Sequence, residues 1–215
     1  MTKPDLQKQI AQAGYNVGYG AKLHLATFDL AAKVPGFISF LTFAVGLYFL
    51  LLDFTAKKYF SATCIILGVI GWRVSTWDSR KDEYSKVGSK LTGLFNSLKA
   101  LYYEVKASDS PDVSSFSSRL EELQNEYNST CLSNQMLFSD WYAHYKFFWQ
   151  HQIDWIDGEL HFKLFRDKLP LSFMAAVVVL ILCVIGIFIW HFATGSCGLC
   201  LNGYQLANEG SCRAV

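Results

Sequence analysis

Val34 to Leu52 reads VPGFISFLTFAVGLYFLLL, 19 residues without a charge. About 20 apolar residues in a helix cross a hydrocarbon core roughly 30 Å thick, so this stretch predicts a transmembrane helix. Asp53 ends it, and Asp53-Phe54-Thr55-Ala56-Lys57-Lys58 is short enough to force the chain straight back. The return segment, Tyr59 to Trp72 (YFSATCIILGVIGW), has only 14 residues before Arg73. A buried or re-entrant helix competes with a span at that length. Val74 to Trp77 can lengthen it, with Arg73 reaching toward headgroups and Trp72 and Trp77 in the interfacial belt, and it is read as a span. A third run, Leu171 to Ala193 (LSFMAAVVVLILCVIGIFIWHFA), covers 23 residues and predicts the strongest span, with Pro170 suited to its first turn and Trp190 to an interfacial girdle. No apolar stretch begins before residue 34, which argues against a signal peptide.

The whole chain agrees with this reading. Of 215 residues 52% are apolar and 17% charged, and 19 Lys and Arg nearly cancel 18 Asp and Glu. That balance excludes disordered chains and speaks against a partner of DNA or RNA, whose phosphates call for a basic surplus. Three spans put residues 1–33 and the segment between the second and third spans on one face of the bilayer, carrying sixteen of the Lys and Arg and leaving three on the other. The positive-inside rule then predicts a cytosolic N-terminus and main domain and an outside C-terminus. Cys197, Cys200 and Cys212 fall in the tail sent outside, where a disulfide between Cys212 and either Cys197 or Cys200 would persist. Cys64, Cys131 and Cys183 are expected as reduced, packed thiols, and Asn128-Ser129-Thr130, a glycosylation triplet placed in the cytosol, as unmodified.

The expected architecture is therefore an all-α integral membrane protein: an amphipathic cytosolic segment (1–33), a transmembrane hairpin (34–74), a cytosolic helical domain (75–170), a third transmembrane helix (171–193) and a Cys-containing extracytosolic tail (194–215). Within the cytosolic domain Tyr84, Val87, Leu91, Leu94, Leu98, Leu101 and Val105 step alternately by 3 and 4, a coiled-coil-like seam. The polar turn at Ser108–Asp112 ends that helix. A second long helical stretch opens with Val113, Phe116, Leu120, Leu123 and Tyr127 and turns aromatic after Asn134. Trp141, Tyr145, Phe148 and Trp155 form an expected packing surface, with Phe138, Tyr142, Phe147 and Trp149 around them, too many rings for one apolar stripe. Seam and rings together predict further copies of the chain as partners. In residues 1–33, Leu6, Ile10, Ala13, Val17, Leu23, Leu25, Phe28 and Leu30 suit either the membrane surface or the bundle, while Gly14, Gly18 and Gly20 predict a helix break near Tyr15–Gly20.

Candidate chemistry is sparse. His144 and His151, seven apart with Asp140 or Asp154 nearby, lack the i, i+4 pairing of a zinc helix and read as histidines among aromatics. Asp154, Asp157 and Glu159 read as a charged helical face rather than acid–base machinery. Gly14 to Gly20 follows no strand and carries no nucleotide-site signal. The CxxC at Cys197–Cys200 has neither a fourth ligand nor a βαβ context. No catalytic constellation, metal or cofactor is expected. In the spans, Ser39, Thr42, Gly46, Ser61, Thr63 and Gly68 could line a pore or pack helices closely. With no Asp, Glu, Lys or Arg in the spans, a carrier or pump is disfavoured. A pore assembled from several copies and a non-conducting scaffold recruiting a soluble enzyme both stay open.

The order of parts carries a resemblance. An amphipathic N-terminal helix, two closely spaced spans, a helix with VGSKLTGLFNSLKALYYEVK (87–106) and a later one with YAHYKFFWQHQIDWIDGEL (142–160) resemble the SLATT family, the SMODS- and SLOG-associating two-span effector domains of bacterial conflict systems. The resemblance covers roughly residues 5–168. The third span and its cysteine tail depart from the two-span plan. The resemblance implies an inner-membrane effector that stays quiet until infection, is triggered by a nucleotide second messenger or a nearby-encoded sensor protein, and then oligomerises or opens to permeabilise the membrane.

Overall fold

The structure, a computed structural model, describes the backbone of residues 2–51, 57–108, 114–164 and 166–209 and the side chains of 2–49, 61–108, 114–164 and 166–190. The turn of the predicted hairpin, the Ser108–Asp112 turn beyond Ser108, Val113, Cys212 and the side chains of Cys197 and Cys200 lie outside the described residues. Among those described there are helices and no strands. The order is α1 (Lys3–Leu51), α2 (Lys57–Ser75), a short 3-10 turn (Asp78–Arg80), α3 (Lys81–Ala107), α4 (Ser114–Thr130), α5 (Ser139–Gln150), α6 (Asp154–Leu160) and α7 (Leu171–Glu209). The chain divides into two units, Met1–Lys168 and Leu169–Val215.

In the first unit α1 is the axis. The expected break at Tyr15–Gly20 is absent, and one helix of 49 residues runs from Lys3 to Leu51. Three glycines lower helix propensity by about 1 kcal/mol each, but here they supply room. A Cβ at Gly14 would lie 2.4 Å from Trp155 Cη2, and one at Gly18 would meet Phe95 and Phe147 ring carbons at 2.7 and 2.9 Å. The rings of α3, α5 and α6 therefore sit directly on the α1 backbone. Burying a large ring contributes about 1.5–3 kcal/mol, more than the glycine penalty at each site.

The seam on α3 is filled from within the same chain. Tyr84, Leu91, Leu98 and Leu101 are fully buried, with Leu94 and Val105 nearly so and Val87 at the edge. Leu91, Leu94, Leu98, Leu101 and Val105 share one core with Leu6, Ile10, Ala13 and Val17 of α1, which settles where the amphipathic N-terminal stretch packs. The seam is thus covered within one chain. A second correction concerns residues 114–160, expected as one long helix. They form α4, α5 and α6, separated by non-helical residues 131–138 and 151–153. Phe138 takes a left-handed backbone (φ 67°), which stops a helix from running through it.

Exposure along α1 changes at one place. Residues 6–31 bury a stripe that ends at Ala31 (2% exposed), whereas Phe37, Phe40 and Phe43 are 65–70% exposed. Ile65, Ile66, Val69, Ile70 and Trp72 of α2 are also exposed, at 45–71%. Rings and aliphatics uncovered on all sides belong in lipid rather than water. By length and composition α1 (within Lys3–Phe49, mean hydropathy 1.7) and α7 (within Leu171–Trp190, mean hydropathy 3.0) can each cross a membrane. α2 packs on α1 through the cleft described below. In the second unit, the helix continues past Ala193 to Glu209, and its apolar face from Leu171 to Trp190 is exposed throughout.

The glycine contacts carry a test. Gly14→Ala and Gly18→Ala should each lower the melting temperature of the detergent-solubilised protein, because overpacking costs about 1–3 kcal/mol against a propensity gain of about 1. Gly93→Ala on α3, where a Cβ meets nothing within 4 Å, should leave it equal or higher. Circular dichroism melts of the three variants check this, and equal effects at all three positions would contradict the packing.

Candidate functional site at the bundle–membrane joint

The core register of α1, continued from Leu6, Ile10, Ala13 and Val17, lands on His24 and Thr27 before Ala31. Both are buried, at 2% and 0% exposure. Polar groups removed from water need partners, and these two find theirs on the non-helical segment 131–138. The Leu132 N–H donates to His24 Nε2 at 3.1 Å. That nitrogen is therefore the acceptor, and the ring proton sits on Nδ1, 2.7 Å from the Gly20 carbonyl. Thr27 Oγ1 donates to Gln135 Oε1 at 2.8 Å, and Gln135 Nε2 to the Leu132 carbonyl at 2.9 Å. From α3 the Tyr84 hydroxyl donates to the Asn134 carbonyl. The Tyr84 ring lies 6.0 Å from His24 and 5.9 Å from Trp77, with Arg80 over it at 5.8 Å.

One turn further along α1, Asp29 accepts from Lys33 at 2.9 Å and from Lys146 of α5. Burial works to raise the Asp29 carboxyl, but the two ammonium groups hold it below the usual carboxylate range. Lys146 also lies 4.4 Å from the Tyr142 ring centroid. The node at His24 and Thr27 and the pair at Asp29 therefore clamp α1, 131–138, α3 and α5 together within about three turns of Val34, where the lipid-facing part begins.

Beyond the clamp, α1 and α2 enclose an open cleft lined by Pro35, Ile38, Ser39, Thr42, Phe43, Leu67, Gly68, Gly71, Trp72 and Ser75. Three of the six span residues singled out in the sequence line it: Ser39, Thr42 and Gly68. Gly46, Ser61 and Thr63 do not. Ser39 Oγ donates to the Pro35 carbonyl at 2.9 Å and Thr42 Oγ1 to the Ile38 carbonyl at 2.8 Å. With these donors turned onto their own helix, the lining is mainly carbon. Pro35, inside α1, has no N–H for the Ala31 carbonyl, the one point where the helix ladder is weakened.

The aromatic surface separates into two parts. Trp155 is buried on Gly14 between Phe95 and Tyr102, at ring distances of 5.8 and 5.2 Å. Phe148 is half-buried against Tyr15 and Phe162. Trp141 touches Phe138 at 5.0 Å, and Tyr145 stands 52% exposed. Phe147, expected only at the margin of that surface, is fully buried 5.6 Å from Tyr15, and sequence reasoning passed over His24, Thr27 and Gln135. The available signal was positional: His24 and Thr27 occupy core slots of the α1 register. His144 lies against Tyr19 and Phe148, and His151 is 4.8 Å from Phe95. Cys64, Cys131 and Cys183 are free thiols.

An α-helical membrane protein in which one helix is both bundle core and first membrane segment is what these contacts define. The comparison with protein families then fixes its kinship: the family described as "SMODS and SLOG-associating 2TM effector domain 6" matches residues 1–177, and the chain belongs to this SLATT family. The match takes in the bundle, the hairpin and the first residues of α7. No curated protein and no solved structure matches the chain.

Burial lowers the proton affinity of His24 and His144, and burial with Lys22 and Lys99 nearby pushes His151 down to about 4. Each is neutral in the fold and titrates near 6.5 when unfolded. The unfolded chain therefore takes up more protons on acidification, and stability, complete above about pH 6.5, falls as pH drops toward the folded values. The melting temperature should decline between pH 7 and about 4, and His24→Gln should shed part of that decline. A flat profile over this range would contradict the arrangement.

Proposed function

We propose that the protein is a bacterial inner-membrane effector of an anti-phage defence system, quiet until its cytosolic bundle receives a trigger, and then permeabilising the membrane as an oligomer. Membership of a family of two-transmembrane effector domains supports the membrane-effector part. The single observation that carries the mechanism is the uninterrupted helix α1, which joins bundle core to hairpin. A rearrangement of the bundle that turns or shifts α1 must move the hairpin, since no linker intervenes to absorb it.

The charge distribution supports a cytosolic bundle and an outside C-terminus: sixteen Lys and Arg fall in 1–33 and 73–170 against three elsewhere. Two helices cannot enclose an aqueous path, so permeation requires several copies. Gly46 and Gly68, where a Cβ would meet no atom within 4 Å, leave room for helices of neighbouring copies to approach closely. The trigger is a nucleotide second messenger or a sensor protein encoded nearby. A second reading, a non-conducting scaffold that recruits a soluble enzyme, draws on the exposed rings of Tyr145 and Trp149.

A short glycine insertion after Lys33 tests the coupling. The variant should insert and keep its bundle, read as an unchanged far-ultraviolet spectrum, yet lose toxicity in cells carrying the trigger and dye leakage from liposomes. Full leakage from that variant would remove rigid coupling. No leakage from the triggered wild-type protein would favour the scaffold.

A further inference from the structure

The segment 131–138 ends in two apolar side chains with little cover: Leu137 is 75% exposed and Phe138 54%. Water is a poor medium for such a pair, and Phe138 is moreover held in a left-handed backbone, a conformation uncommon for a bulky residue. Their place in the fold is fixed from three sides. Leu132 and Gln135 are bonded to His24 and Thr27 of α1, and Asn134 to Tyr84 in the first turn of α3. Phe138 itself precedes the first residue of α5.

Tyr84 and Phe138 stand at the N-terminal ends of α3 and α5, whereas His24 and Thr27 lie within α1, on the hairpin side of Gly14, Gly18 and Gly20. Thr27 lies seven residues before Val34, about 10 Å along the axis. Tyr84 follows the exit of α2 through Trp77, which it touches. α5 runs away from this level, because Phe147 meets Gly18 and the following α6 brings Trp155 to Gly14. Leu137 and Phe138 form a turn directly beyond Gln135, closed by the Ser139 N–H on the Met136 carbonyl at 3.1 Å, which keeps them beside the Gln135–Thr27 contact, about 10 Å from where α1 enters lipid.

We infer that the Leu137–Phe138 turn is an interfacial anchor, seated in the headgroup region of the same bilayer that the α1–α2 hairpin crosses. It rests on the membrane reading proposed above. The occupant is lipid because the turn lies at the joint where the hairpin leaves the bundle: Asn134, three residues before Leu137, is bonded to Tyr84, and that ring packs on Trp77 at the exit of α2. Rings of this kind sit stably at the level of the headgroups. Through Leu132, Asn134 and Gln135 the anchor is bonded directly to α1 and α3. A change in how it sits therefore reaches the joint without passing through the rest of the bundle.

Depth-dependent quenching tests this on the full chain in proteoliposomes, with native cysteines replaced and one environment-sensitive dye placed at a new cysteine. The sites are Leu137→Cys, Phe40→Cys in the span and Asn96→Cys in the membrane-distal part of α3. Nitroxide lipids carry the quencher near the headgroup or near the chain end. The inference expects the dye at 137 to be quenched by the shallow nitroxide and little by the deep one, that at 40 by the deep one, and that at 96 by neither. Quenching at 40 with none at 137 overturns the anchor and leaves the membrane reading standing. No quenching at 40 overturns the membrane reading itself. If the dye at 137 is shielded only at high protein-to-lipid ratio, the turn meets a second copy, which also overturns the lipid assignment. Phe138→Asn, tolerated at positive φ, keeps the fold in hand: it should leave the melting temperature equal or higher while shallow quenching at 137 weakens.

Discussion

The structure depends on how closely α1 lets aromatic rings approach its backbone. At Gly14 and Gly18 there is no side chain to hold Trp155, Phe95 and Phe147 away, so rings from α3, α5 and α6 converge on one stretch of helix. Gly88 of α3 makes the reciprocal arrangement, receiving Leu25 of α1. Small-against-large packing at several points fixes both the height and the rotation of α1 in the bundle, because a slip by one residue would turn a glycine out of each contact by about 100°. Everything beyond Ala31 inherits that setting.

Polar contacts refine what the rings fix. His24 and Thr27 are core residues by position, and each would be costly if unpaired. Their partners lie on a non-helical segment whose free backbone groups are available for bonding. The segment thus completes the core rather than merely joining α4 to α5. Asp29 adds a partly buried ion pair to Lys146 just before the helix loses its protein surroundings. The order along α1 is then rings, hydrogen-bonded node, ion pair and lipid-facing stretch, a sequence of progressively longer-ranged and less buried interactions.

Much of this was legible in the sequence, and the unread part has identifiable causes. Uncharged runs declared α1 and α7 because length and hydropathy need no tertiary context. The seam on α3 was also legible, since periodicity reports that a face is buried. It does not report what buries it, and within the chain α1 packs on the seam. The glycines misled: propensity summed over Gly14, Gly18 and Gly20 argues for a break, and only the packed rings show why a helix survives. Residues 131–138 were unreadable for the opposite reason. No glycine marks the left-handed Phe138, so a run of aromatics passed for one continuous helix. The span hydroxyls Ser39 and Thr42 were legible as residues but not in role, because whether a hydroxyl faces a path or its own carbonyl depends on χ1.

A helix shared between a protein core and a bilayer has one further consequence. In the bundle its rotation is set by packing that tolerates few alternatives, whereas in lipid the exposed rings of Phe37, Phe40 and Phe43 accept many orientations at similar free energy. The lipid-facing part has no preference strong enough to resist what the bundle dictates. The weakest rung, at Pro35, stands just after the clamp. The bundle's grip and the hairpin's freedom meet within a single turn of helix.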